Sequence, residues 1–270
     1  MASRPNVRMS TTSRPVENRW TLEASGRSLA EREVTTMSEQ NKTLYERLQM
    51  VLVPSPFTGA ITWNATAEIL PDAVIVDYGS VSAPDWYEQV AERVVAQIDG
   101  RKWIAVLHSG AGGFAPALKC ASTSLAGFIF VDAVLPYPGK SCLETVPEYR
   151  VSKLKRLTKD GLLAPWNEWF APSLLPQLVP DQQAREAFTR RLPRVPFAFL
   201  EAVSPTKFEW EQIPTAYLQL SAVYAETATR AESRGWIVRR VQLHHLAMIT
   251  DPARIGELLC ALLSELQIAP

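Results

Sequence analysis

The chain has 270 residues, 47% of them hydrophobic and 21% charged, which is enough to bury a sizeable core and excludes a disordered or collagen-like chain. Lys+Arg and Asp+Glu balance at 28 each, so no net field recruits nucleic acid or anionic lipid, and a small molecule fits best as partner. Three cysteines, Cys120, Cys142 and Cys260, are an odd count with no C-x-x-C spacing; this argues against a disulfide framework and a structural zinc, and fits a reducing, cytoplasmic compartment.

Residues 1–45 are rich in Arg, Ser, Thr and Glu, with no sustained period and no apolar stretch of the secretory type. They read as a disordered or loosely attached tail, with Met37 a natural start for the compact domain. From residue 50 the pattern changes. Met50–Val53, Ala73–Asp77, Trp103–Leu107 and Gly127–Val131 are continuous apolar runs, as strands buried on both faces of a parallel sheet require. None approaches the roughly 20 residues of a membrane span. Between the second and third runs, Trp86, Val90, Val94 and Ile98 fall on one stripe, which predicts a helix over 85–98. Buried strand alternating with amphipathic helix gives an α/β fold with a doubly wound, mostly parallel sheet.

After Val131 the alternation stops. Residues 134–213 carry ten of the twenty prolines, no histidine and no strong strand, and read as a helical insertion after the fourth core strand, over one end of the sheet. Ala216–Leu220 and Trp236–Val241 restore the strand pattern. Pro252 then opens a helix through Ile255, Leu258, Leu259, Leu262, Leu263 and Leu266. The domain expectation is therefore a core from 46–133 and 214–270, with 134–213 inserted.

In open α/β sheets the ligand crevice lies at the carboxyl ends of the strands. The third run ends in His108-Ser109-Gly110-Ala111-Gly112-Gly113, a serine on a strand-to-helix turn with small neighbours that let the helix pack close. After the last strand comes His244-His245-Leu-Ala-Met-Ile-Thr-Asp251-Pro252, the position for a serine's general base in this architecture. His108 reads as structural and His244 as a flank of His245. Asp77 reads as turn-bracing and Glu168 as a solvated helix face. A phosphate loop does not fit, since neither G-x-G-x-x-G nor a Lys-bearing P-loop is present.

These features, with the Pro54-Ser-Pro-Phe-Thr-Gly59 turn after the first run and the insertion after Asp132, resemble the α/β-hydrolase superfamily over roughly residues 50–268. The resemblance implies a Ser-His-acid triad with Ser109 as nucleophile and His245 as base, a helical cap over 134–213 that shapes the pocket, and no metal or organic cofactor. Two departures stand out. The family elbow reads Gly-x-Ser-x-Gly, whereas Leu107 and Ala111 flank Ser109 here; a frame one residue later would put Gly110 at the nucleophile position. The usual oxyanion segment is replaced by Pro54-Ser55-Pro56-Phe57, and proline has no N–H to donate, so the donors become Phe57 and Gly110.

The acid is Asp132 at the end of the fourth run, where a loop-bracing or capping role competes, or Glu226 after the Tyr217–Leu220 strand. Trp166, Trp169 and Phe170 either pack the insertion or roof an apolar substrate pocket. The expected activity is a serine esterase, lactonase or thioesterase acting on an apolar small molecule. The alternative is a non-hydrolytic cyclase, lyase or isomerase of specialised metabolism, with His245 as acid and base.

Overall fold

The computed structural model describes residues 48–79, 81, 85–206 and 210–268. These belong to the second of two units into which the chain divides, 39–270. The expected tail, 1–45, lies outside the described residues.

Among the described residues the strands, in chain order, are β1 (Leu48–Val53), β2 (Val74–Ile75), β3 (Lys102–His108), β4 (Leu125–Val131), β5 (Thr158–Lys159), β6 (Leu162–Leu163), β7 (Thr215–Gln219) and β8 (Ile237–Arg240). Six of them form one parallel sheet in the order β2-β1-β3-β4-β7-β8. Successive residues of a strand point to opposite faces. Val51, Val53, Trp103, Ala105, Leu107, Phe128, Phe130 and Tyr217 enter one apolar layer, against α2 (Trp86–Val95) and α3 (Ala115–Ala121). Met50, Leu52, Ile104, Val106, Ile129, Val131, Ala216 and Leu218 enter the other, against the closing helix Pro252–Glu265. Both sets are buried, which is why these strands read as unbroken apolar runs rather than alternating ones. A short α1 (Asn64–Ala67) joins the second layer beside the buried Trp63.

Among the described residues, the chain between β4 and β7 holds four α-helices, α4 (Glu148–Arg156), α5 (Leu174–Leu178), α6 (Gln182–Arg190) and α7 (Phe197–Glu201). It also holds strand structure that the composition did not suggest. Thr158–Lys159 pairs antiparallel with Leu162–Leu163 across Asp160 and Gly161, whose φ angles of 51° and 75° are both left-handed. That is the backbone a two-residue hairpin turn demands, and Asp-Gly is its strongest sequence signal. After β7 come α8 (Ala225–Glu232), α9 (Ala247–Thr250) and α10 (Pro252–Glu265), the last capped by Asp251, whose carboxylate accepts the Arg254 N–H.

The register brings the functional segments side by side. Val53 pairs with Leu107, His108 with Val131, and Val131 with Leu218, so β1, β3, β4 and β7 end level with one another. The Pro54–Phe57 loop, Ser109, Asp132 and the segment after Leu220 therefore emerge along one edge of the sheet.

Candidate active site

β3 ends at His108, and the chain turns at once into a 3-10 helix, Ser109–Phe114, before α3. The residue that absorbs the turn is Ser109, at φ 56°, a left-handed conformation that is strained for a serine and holds its side chain at the mouth of the strand. Gly110 is not the left-handed residue. Its missing side chain serves a different end, because a Cβ there would stand 2.9 Å from the Phe57 ring. Gly112 is tighter still: a Cβ would lie 1.9 Å from the Val134 carbonyl oxygen, so only glycine lets the turn press against the β4 loop. The Val134 N–H, in return, donates to the Ser109 carbonyl at 3.0 Å.

Asp132 follows β4, fully buried and at φ 41°. Its Oδ1 accepts the Leu220 and Ser221 N–H groups at 2.6 and 3.1 Å, and its Oδ2 accepts the Ser221 hydroxyl at 2.6 Å. His245 Nδ1 lies 3.2 Å from the same Oδ2. A carboxylate only accepts, so Nδ1 carries the proton and Nε2 is the imidazole's free base position. Asp132 is thus both a loop brace and the carboxylate partner of His245. Glu226 is exposed in the first turn of α8. The Tyr224 ring stacks on the His245 imidazole, with centroids 5.2 Å and planes 7° apart; among the described residues the hydrogen bond of His245 Nδ1 is to Asp132, and none joins its ring to Ser109.

His108 is fully buried beneath them. Its Nε2–H donates to the His245 carbonyl oxygen at 3.1 Å, its ring centroid is 4.6 Å from that of His245, and the edge of Trp63 packs against it. Nδ1 is left without a partner. Burial, and then the neighbouring His245, hold its pKa well below the ordinary histidine value. An unfolded chain takes up this proton below about pH 6.5, whereas the folded chain does not, so stability is lost as pH falls below that point by up to about 1.4 kcal/mol per pH unit. Urea unfolding at pH 7.5 and 5.5 should show this loss in the parent and a correspondingly smaller one in His108→Gln; identical pH slopes would contradict it.

The β1 loop offers one backbone donor near Gly110, since Pro56 has none. Phe57 N–H is directed to the buried Ser55 hydroxyl at 3.3 Å, and the Phe57 ring covers Gly110 and touches Trp169 at 5.0 Å. Trp166, 7% exposed, stacks on His245 at 6.1 Å and packs on Phe188. Trp169 is pinned by its indole N–H to the Ala164 carbonyl at 2.7 Å. Phe170 is 42% exposed and lies on the outer side, against Trp166 and under Lys153. Of the expected aromatics, the structure brings Trp166 against His245 and Trp169 against Phe57, and leaves Phe170 at the surface. Among the described residues, no cluster of His, Cys, Asp and Glu could hold a metal ion, and no helix is long and apolar enough to cross a membrane.

No family model and no curated protein matches the chain. Solved structures do. An extracellular α/β-hydrolase from a Paenibacillus species, described as sharing structural and functional homology with tobacco salicylic acid binding protein 2, superposes with a TM-score of 0.64 at 21% identity, over 79% of this chain and 98% of that one. A pyrethroid hydrolase gives 0.59 at 15% identity, over 80% and 98%. A bromoperoxidase from Bacillus anthracis gives 0.54 at 17%, over 80% and 91%. This chain has the α/β-hydrolase fold.

Within that α/β-hydrolase fold, two residues of the site carried no functional signal in the sequence. Ser221 stands just after β7, ahead of Glu226, and donates to the Asp132 carboxylate at the end of β4. Tyr224 closes the same segment, in the 3-10 turn Ala222–Tyr224. An aromatic outside any helix or strand period carries no pattern; only its place just past a strand end could have singled it out. Burial pushes its pKa up to about 12, so the phenol keeps its proton through the neutral range.

Proposed function

We propose that the protein is a serine hydrolase that cleaves an ester, lactone or thioester of an apolar small molecule through an acyl-enzyme on Ser109. The observation that carries this reading is the left-handed Ser109 at the end of β3, beside β4, whose buried Asp132 orients the His245 imidazole. His245 Nε2 takes the Ser109 proton as Oγ bonds to the substrate carbonyl carbon. The carbonyl electron pair moves to oxygen, and the Gly110 N–H, in the first turn of a 3-10 helix and so without an intrahelical partner, donates to that oxygen. Collapse expels the leaving group, which receives the proton from His245, and water repeats the sequence to release the acid. Asp132 keeps the proton on Nδ1 and stabilises the imidazolium. No metal or organic cofactor takes part.

The 134–213 insertion acts as the cap. Its Trp166 and Trp169 rings lie against His245 and Phe57, an apolar roof suited to an apolar acyl or alkyl group. The neighbours described as an α/β-hydrolase and a pyrethroid hydrolase support a hydrolytic reading. The test is incubation with a fluorophosphonate followed by intact-mass measurement and peptide mapping. One adduct on Ser109, absent in Ser109→Ala, is the expected result; folded protein without an adduct would overturn the reading.

A further inference from the structure

The buried Asp132 carboxylate accepts from the Leu220 N–H, the Ser221 N–H, the Ser221 hydroxyl and His245 Nδ1, which fills the acceptor capacity of its two oxygens. The two bonds on Oδ2 are unequal. The Ser221 hydroxyl donates at 2.6 Å, as charge-assisted O–H contacts do, whereas His245 Nδ1 stands at 3.2 Å, longer than a charge-assisted N–H contact. Ser221 also donates its N–H to Oδ1 at 3.1 Å, so one residue grips both oxygens. We propose that Ser221 is a positioning residue: its hydroxyl shares Asp132 Oδ2 with His245 and so sets how strongly the imidazole holds the proton it takes from Ser109. This rests on the hydrolase reading above.

Electron density that Oδ2 gives to the Ser221 O–H is not available to Nδ1–H. When Nε2 takes the Ser109 proton the ring becomes a cation, and a shared oxygen stabilises that cation less than an unshared one would. The Ser221 hydroxyl thereby eases return of the proton to the leaving group, keeping its own proton throughout. The other polar groups facing the pair do not titrate in the neutral range. Burial keeps His108 of β3 neutral and the Tyr224 phenol protonated, and it raises the pKa of Tyr217 of β7, whose hydroxyl donates to the Ala133 carbonyl. Arg150 and Cys142 act on the Tyr224 phenol, and Trp166 brings no charge to the ring it covers. His244, which also feels Asp251, is bonded to the Leu246 N–H and the Thr250 hydroxyl rather than to Ser221, so its titration is common to parent and variants.

The pH profile of the rate constant for labelling of Ser109 by a fluorophosphonate reports on this balance, since labelling needs His245 as the free base. In Ser221→Ala the midpoint of that profile is expected to move to higher pH by about half a unit to one unit. Ser221→Thr keeps the hydroxyl, and a β-branched residue suits the extended backbone at φ −121° and ψ 154°, so it is expected to restore the parent midpoint. Ser221→Cys, with a weaker donor of similar size, should fall between them, and it carries the test if the Ala variant does not fold. A serine that only braces the loop would lower the melting temperature and leave the midpoint in place. That result, or a midpoint moved to lower pH, would overturn the proposal and leave the hydrolase reading standing. A parent protein that fails to label at all would overturn both.

Discussion

Ser109→Ala is expected to lower kcat by about 10⁴–10⁶-fold, and His245→Ala to do comparable damage, because members of a triad act as a unit and their losses are not additive. The double variant should be scarcely slower than either single one. Ser109 is small, so Ser109→Ala should melt close to the parent, whereas His245→Ala removes a ring packed against His108, Trp166 and Tyr224 and should melt lower. Steady-state kinetics on the best ester found by screening would measure all three. A different pattern, with Ser109→Ala near parent activity and His245→Ala inactive, would assign the chemistry to proton transfer alone, as in a cyclase or lyase on the same scaffold, and would overturn the acyl-enzyme.

The second large effect belongs to Asp132. In Asp132→Asn one terminal atom becomes a donor. If the amide nitrogen faces His245 Nδ1, it forces the tautomer with the proton on Nε2, which can no longer take the Ser109 proton; if it faces the other way, it meets the Leu220 and Ser221 N–H groups instead of accepting from them. The expected fall in kcat is about 10⁴-fold, as for the equivalent change in a serine protease. Asp132→Ala should in addition destabilise the fold. It strips the acceptor from the Leu220 N–H and from both donors of Ser221, and each buried donor left unpaired costs about 1–3 kcal/mol. Urea midpoints compared across parent, Asn and Ala variants would show the graded loss; an Ala variant as stable as the parent would contradict the bracing role.

Much of the architecture was legible because parallel strands buried on both faces leave continuous apolar runs, and Val51–Val53, Ile104–Leu107 and Phe128–Val131 are such runs in one sheet. The strand ends then indicated where polar side chains would converge, and Asp132 and His245 do meet. What local sequence could not settle was the conformation of the turn. In Ser109-Gly110 either residue can be left-handed, and intrinsic preference favours glycine. The approach of the Phe57 ring, which comes from β1 and is distant in sequence, explains the glycine instead. Similarly, the direction of the Phe57 N–H depends on the Ser55 rotamer, and the place of Tyr224 on a stack with a residue 21 positions later; neither has a periodic signature. The Asp160-Gly161 hairpin was legible in principle and was masked by the proline density around it.

The bonds that join the site are all long-range in sequence. His245 meets Asp132 across 113 residues, His108 meets His245 across 137, and Leu220 meets Asp132 across 88. Closing such loops is entropically unfavourable until the contacts that reward it exist, so topologies of this kind fold slowly and complete their distant pairings together. The shortest segment that contains the three side chains runs from residue 109 to 245. Recovery of fluorophosphonate reactivity after dilution from urea is therefore a clock for the last stage of folding, lagging behind the return of helical circular dichroism. For the same reason the Leu220 and Ser221 amides should be among the slowest in the chain to exchange with solvent deuterium.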